Sequence, residues 1–432
     1  MKKVGMMLLV LLMVLGLLIG CAHSTPEVTP AVSSVPGQEA TLRFLHIWSE
    51  HGETMENIVR AIEQQNEGMH VEITTVGWEE LDRTVTTALN SGQMYDVFFQ
   101  FGSDIGSMQQ RGIVMDLEQC VDEAWENNFI DGALDGWRVD GTLYGLPYRG
   151  SGVVVIYNRD LFKENGWQVP ETLDEMVALM NSALEMGLIP MSAPGRPDGF
   201  QLDSLRAILT DYIAQDAGLL NDELRLTGRK IDWHGELAMG ARTVKDWAEK
   251  KYFGANPLSV DENTAIMRFL SGNAAMLLCN TNDIHELREE TRYAAFDMGS
   301  FLVPGYTAGG EKIFSNASFE DGFAIWADTA QPEQAAALLK GLTSGEYGSL
   351  WAHETLSVMA LKDISVDDSL LDEFGTYFDI AGKYAVKPDY DVGDSDQLKN
   401  QLFVDYMTST MTADEYETNY ENIVKNALRG AK

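Results

Sequence analysis

From Thr41 onward the chain alternates short apolar runs with amphipathic stretches, and this alternation limits the possible folds more than any other feature. Thr41 to Trp48 sets Leu42, Phe44 and His46 against Arg43, Leu45 and Ile47, a period-two pattern that reads as a buried strand. Met55, Ile58, Val59 and Ile62 then recur at helical spacing over Glu53 to Gln65. His70 to Val76 is a second strand, and Leu81, Val85, Ala88 and Leu89 mark a helix face over Glu79 to Asn90. Asp96 to Phe101 is a third strand. Strands separated by helices of this length imply βαβ units around a parallel sheet, so the expected class is α/β. Ligands of open α/β sheets bind beyond the carboxyl ends of the strands. The turns Ser49 to Gly52 and Gly102 to Gly106 occupy that position. No phosphate-cradling glycine loop follows these strands, and Trp48-Ser49-Glu50-His51-Gly52 is not G-x-G-x-x-G.

The pattern resumes after an aromatic-Gly-Leu-Pro stretch with the apolar strand Val153 to Tyr157. Thr172 and Glu175 form a capping box for a helix that turns Met176, Val177, Met180 and Leu184 inward and stops at Gly187. Further helices are expected near Leu202 to Gln215, Glu236 to Lys251 and Thr264 to Leu270, with strands at Ala274 to Leu278 and Asp321 to Trp326. A second capping box, Thr412 with Glu415, opens a C-terminal helix. The roughly 390 residues from Thr41 exceed what one hydrophobic core usually serves, so two domains are expected.

Charge excludes one class of partner. With 31 basic against 66 acidic residues the formal net charge is −35, which opposes nucleic acid, whose binding rests on Lys and Arg meeting phosphates. The same surface would be repelled by anionic lipid. Its ordinary meaning is solubility. Beyond Cys21, only Cys120 and Cys279 remain; with no C-x-x-C and no histidine at zinc spacing, the sequence offers no metal site and no cofactor. The two cysteines fall in different domains and are expected to be separate thiols.

The N-terminus carries an address. Lys2 and Lys3 precede an apolar run, Met6 to Ile19, shorter than the about 20 residues that a membrane span requires. It ends in Leu18-Ile19-Gly20-Cys21, which looks like a bacterial lipobox. Residues 1–20 are therefore expected to be a signal peptide, with Cys21 the lipidated N-terminus of the mature protein on the extracytoplasmic face of the cell membrane. Residues 21–40, rich in Pro, Ser and Thr, read as a flexible linker. The lipid would be the chain's sole membrane contact.

Five segments in order resemble the extracellular solute-binding proteins of ABC importers, of the type that binds sugars and oligosaccharides. The best match is Asp140 to Met176, with Asp-Gly-x-x-Tyr-Gly-x-Pro, a strand ending Tyr-Asn, and a capped helix. Met94 to Gly102, Arg111 to Asp122, Phe269 to Leu278 and Gly322 to Glu346 are the others. The resemblance implies a periplasmic-binding-protein-like fold of two discontinuous α/β lobes around a hinged cleft. The first lobe would take residues 41–150 and 315–356, the second 151–314 and 357–432. It further implies a monomer that binds a carbohydrate reversibly, without chemistry, and hands it to the transmembrane subunits of an ABC permease.

A sugar presents hydroxyls at its edge and C–H patches on its faces, so its pocket needs planar polar groups and aromatic plates. In the first lobe Trp48 and Glu50 follow the first strand, and Gln100, Phe101 and Asp104 follow the third. Trp48 and Phe101 could equally be core. Tyr148, Arg149 and Ser151 lie at the first hinge crossing, with Ser318, Phe319, Glu320 and Asp321 at the second. In the second lobe the candidates are Arg196, Asp198 and Phe200 on one loop, and Asn280, Asn282 and Asp283 on another. Sugar binders often carry a stacking Gly-x-Trp at that last position; here amides and a carboxylate replace it, leaving room for another polar solute. Trp233 and Trp351 are further aromatic candidates, with helix-core packing as the alternative. Glu50 and Asp104 could converge as a glycosidase pair, but nothing else in the chain supports an enzyme. A sensor that reports to a membrane kinase would use the same fold.

Overall fold

The computed structural model describes residues 40–196, 201–216, 234–289, 296–310, 312–314, 318–362, 364, 366–367, 369–384 and 395–430. Cys21, Asp198, Phe200 and Trp233 lie outside the described residues, as do the apolar N-terminal run and nearly all of the linker.

Parallel pairing follows from the alternation. β1 (Ala40–His46) runs beside β2 (Met69–Thr75), with Phe44 opposite Ile73, and beside β3 (Val97–Phe101). The crossovers α1 (Gly52–Gln65) and α2 (Leu81–Asn90) bury Met55, Ile58, Val59 and Ile62, and Leu81, Val85 and Ala88. Each such side chain contributes roughly 1.5–3 kcal/mol when fully removed from water.

β4 (Leu146–Ser151) and β5 (Val153–Asn158) are separated by Gly152 alone, and here the chain passes to the second lobe. The crossing is tight. A Cβ on Gly150 would lie 2.7 Å from Phe378 Cε1, and one on Gly152 would lie 2.2 Å from Phe314 Cζ. Only glycine lets the backbone approach these rings.

The second lobe continues with α3 (Arg159–Asn165), α4 (Leu173–Glu185), β6 (Ile189–Ser192), α5 (Gln201–Asp216), α6 (Glu236–Glu249), α7 (Glu262–Leu270), β7 (Ala274–Asn280), α8 (Ile284–Glu289) and β8 (Met298–Phe301). Thr172 caps α4 by accepting from Glu175 N at 3.2 Å, as the sequence predicts. Leu184, expected to face inward, is 40% exposed; the buried face is instead completed by Leu179 and Ala183. The sheet order is β8-β5-β7-β6, with β5 antiparallel to both neighbours and β6 parallel to β7.

The chain then returns as β9 (Ser318–Ile325), which inserts antiparallel between β3 and β4 and gives the first sheet the order β2-β1-β3-β9-β4. α9 (Pro332–Leu342) and α10 (Gly345–Thr355) pack back on this lobe. Met359, Ala360 and Leu361 also belong to its core, with Ala360 N donating to Tyr148 O at 3.0 Å. This segment adds backbone bonds beside β4, Gly150 N donating to Val358 O at 2.8 Å. α11 (Ser369–Tyr384), α12 (Ser395–Thr408) and α13 (Ala413–Gly430) complete the second lobe, α13 opening at the Thr412–Glu415 capping box. Cys120 packs against the first core and Cys279 lies within the second lobe's, where its thiol donates to Asn280 O at 3.2 Å.

Candidate functional site

The chain places its short post-strand turns at the edges where the lobes meet. After β1 comes Ser49–His51, after β3 the 3₁₀ turn Gly102–Asp104, and after β7 the 3₁₀ turn Thr281–Asp283. Thr281 is tied to the first crossing twice: its N donates to Gly152 O at 2.8 Å, and its Oγ1 accepts from Gly152 N at 3.0 Å. The second-lobe turn is thereby held beside β4.

The aromatic part of the site is buried. Trp48 is 1% exposed and packs against Trp351, Phe99, Tyr148 and Phe323, with ring centroids 4.9, 5.2, 5.4 and 5.7 Å away. It presents no open face. Trp48 Nε1, Tyr148 Oη and Trp351 Nε1 find no hydrogen-bond partner among the described residues, and burial pushes the Tyr148 phenol well above its ordinary range. A buried donor left unpaired costs about 1–3 kcal/mol. The Arg149 guanidinium stands 5.1 Å from the Trp48 ring centre and donates Nε to Asp321 Oδ2 at 2.7 Å. Phe101 is half-buried, edge-on to Phe99.

The polar candidates form local pairs. Gln100, buried on β3, donates to Asp104 Oδ2 at 2.7 Å. Glu320 Oε2 accepts from Ser103 N at 2.6 Å, joining the start of β9 to the turn after β3. Ser151 and Ser318 hydroxyls lie 3.4 Å apart across the first two crossings. Phe319 packs at a tilt against Phe378 of α11, 5.2 Å between centroids. Asn280 Oδ1 accepts from Asn282 N at 2.9 Å, and Asn282 and Asp283 are half-buried. Glu50 is exposed beside Ser49. Arg196 is also exposed, 3.7 Å from Asp261, on the loop after β6, the strand parallel to and beside β7. The described residues contain no group of three or more metal-type ligands.

Two residues the sequence reading passed over stand at the junction. His51, at the N-cap of α1, and His285, in the first turn of α8, meet edge to face across the lobes, with ring centroids 4.5 Å apart. His51 is 8% exposed and also lies edge-on to Trp351 at 5.7 Å. Burial, and secondarily His285 and Arg149, lower its pKa to about 4, with Glu50 opposing. Trp78, beyond the carboxyl end of β2, is the third omission, and it is 56% exposed. The rule that selected Trp48 from the end of β1 applies equally to Trp78 at the end of β2.

Known proteins share this architecture. A chitin oligosaccharide binding protein matches with a TM-score of 0.75 at 18% identity, over 91% of this chain and 100% of that one. A cyclo/maltodextrin-binding protein complexed with maltotetraose matches with a TM-score of 0.70 at 18% identity, over 93% of this chain and all of that one. At such identities the likeness is one of fold, and it shows two discontinuous α/β lobes. The Multiple sugar-binding protein of Streptococcus mutans is 22% identical over 338 residues, 76% of this chain and 77% of that protein. An uncharacterised ABC transporter extracellular-binding protein of Pyrococcus horikoshii is 27% identical over 241 residues, where the match spans only 56% of that protein and 54% of this chain. The sequence profile of the bacterial extracellular solute-binding proteins matches residues 48–348, most of the folded chain, and the chain belongs to that family.

Proposed function

We propose that this protein is the extracytoplasmic binding component of an ABC importer, that it takes a carbohydrate between its lobes, and that it passes the ligand unchanged to the permease. The observation that carries the reading is the meeting of post-strand turns from both lobes. Around them stand amides (Gln100, Asn280, Asn282), carboxylates (Asp104, Glu320, Asp283), one guanidinium and three buried donors that have no partner among the described residues. Amides and carboxylates suit a hydroxyl, which both donates and accepts. The sugar-binding relatives support the same class. The replacement of a stacking aromatic by Asn280-Thr281-Asn282-Asp283 favours recognition by hydrogen bonds over stacking in the second lobe.

The lipid anchor at Cys21, the linker of residues 21–40 and a monomeric state belong to this proposal, as do the ligand contacts of each named residue. Cys21→Ser should release the protein from membranes; unchanged detergent partitioning and lipid labelling would remove the anchor from it. The ligand test is a thermal-shift screen of neutral oligosaccharides, beginning with maltotetraose and chitin oligosaccharides. A ligand that binds only the folded form stabilises it by about 2.7 kcal/mol at a hundredfold excess over Kd. Recovery of chemically intact sugar supports binding without chemistry. A chemically altered sugar, or stabilisation by a non-carbohydrate solute instead, overturns the reading.

A further inference from the structure

Trp78 is the one tryptophan among the described residues that stands open to solvent, 56% exposed, and no ring or cation among them stacks on its indole. Its backbone is nonetheless fixed. Val76 N donates to His46 O at 3.1 Å, and Thr75 Oγ1 lies 3.0 Å from His46 Nε2, so the chain leaving β2 stays beside the end of β1. The 3₁₀ turn Trp78–Glu80 closes with Glu80 N donating to Gly77 O at 2.9 Å, and it leads directly into α2, whose Leu81 and Val85 are buried. The ring gains little from the core, yet the turn beneath it is tied on both sides.

That turn belongs to the ligand edge of the first lobe. Thr75 lies beside His46 and Phe98 beside Leu45, and following the three parallel chains onward leads to Trp78, Ser49 and Gly102 at one level of the sheet. Of the aromatic residues described at this edge, Trp48 presents no open face and Phe101 is half-buried, which leaves Trp78 as the open plate. The order β2-β1-β3 separates the ends of β2 and β3 by two strand spacings, about 10 Å. Gln100 and Asp104, at the end of β3, therefore stand apart from the indole by more than one bond's reach.

We propose that Trp78 is an outer subsite of the cleft: one unit of an oligosaccharide lays its C–H face on the indole while a unit nearer β3 is held by Gln100 and Asp104. The proposal rests on the carbohydrate reading and narrows it to a chain of several units, because a single ring does not reach both places. Apolar C–H surface leaves water for the ring face by the ordinary hydrophobic effect. The indole touches the face of the sugar and not its hydroxyl edge, so this subsite selects for chain length rather than for one hydroxyl pattern.

The test is calorimetric titration of wild type, Trp78→Ala and Trp78→Tyr with di- to hexasaccharides of the maltodextrin and chitin series. In the series that binds, wild-type affinity should rise with length. Trp78→Ala should lose about two- to tenfold for the longer members and nothing for the disaccharide, and Trp78→Tyr should keep most of the gain. An equal loss at every length overturns the proposal, as does no loss at any, the result expected if the ring served the permease instead. A wild type that binds the disaccharide as tightly as the hexasaccharide also overturns it and leaves the carbohydrate reading standing. A wild type that binds neither series ends both together. Oxidation by N-bromosuccinimide, with Trp78 followed by peptide mass spectrometry, needs no variant to fold. A bound hexasaccharide should slow modification of Trp78, and an unchanged rate would equally end the proposal.

Discussion

Arg149 on β4 and Asp321 on β9 face each other across the last ladder of the first sheet, Nε to Oδ2 at 2.7 Å, with 11% and 10% of their side chains exposed. The pair sits between two hinge crossings, directly above the Trp48 ring. Removing one member of a buried ion pair strands the other charge. Arg149→Met or Asp321→Leu alone should lower stability by about 3 kcal/mol, and the combined Arg149→Met/Asp321→Leu change should recover much of that. Chemical denaturation of the four proteins as a double-mutant cycle measures it; additive losses would show that the residues act separately.

Gly152 offers a cleaner test of the crossing. A valine there places its Cβ within 2.2 Å of Phe314, so the crossing or the ring must move. Overpacking of this kind costs about 1–3 kcal/mol. Gly52→Ala is the control: nothing lies within 4 Å of the added carbon, and the position opens α1. Thermal melts should show a large loss for the first and no loss for the second.

Glu63 ties α1 to β2. Burial raises its pKa, but hydrogen bonds from Arg60 and Val71 N, with the charges of Arg60 and His70, outweigh that and hold it below its ordinary 4.5. Such a carboxylate stabilises the fold above pH 4.5, and the contribution is lost as pH falls through its lowered folded value. Glu63→Gln should cost about 1–2 kcal/mol at pH 7. Denaturant midpoints for wild type and variant should converge toward pH 3; a gap independent of pH would assign the loss to packing.

The ligand contacts require variants that leave the core intact. Asn282→Ala should weaken binding of the sugar found by thermal shift by about one to two decades, a cost of 1–3 kcal/mol for an unpaired hydroxyl. Trp48→Ala cannot report on the ligand, since emptying so buried a site costs about 3–5 kcal/mol by itself. Trp48→Phe keeps a ring and deletes only the N–H, so it isolates that donor. Asp367→Asn, exposed and remote in sequence from these turns, should leave calorimetric affinity unchanged. Wild-type affinity in a folded Asn282→Ala would move the second-lobe site elsewhere.

Much of the architecture was legible in residue patterns because it rests on local periodicity. The spacing of Met55, Ile58, Val59 and Ile62 demanded a helix with that buried face, and Thr172 and Thr412 marked helix starts through capping chemistry that acts within four residues. β4 was not legible as a strand. Pro147, Gly150 and Gly152 signal a loop, and β4 tolerates the proline because it is the last strand of the sheet order and the backbone bonds on its outer side are made by Tyr148 and Gly150. Leu184 shows the limit of periodicity: it fits the apolar stripe of α4, yet what covers that stripe depends on neighbouring elements.

By itself, then, the sequence determined the alternation of strands and helices, the positions of the turns beyond the strands and the family to which the chain belongs. Only the tertiary structure decided which of those turns meet. Whether Trp48 is core or cleft wall depends on Phe99, Tyr148, Phe323 and Trp351, which come from four separate elements. The apposition of His51 and His285 has no sequence signal, because no short-range pattern spans two lobes. Local preferences act over a few residues, whereas contacts across a cleft are set by how two independently packed cores come to rest against each other.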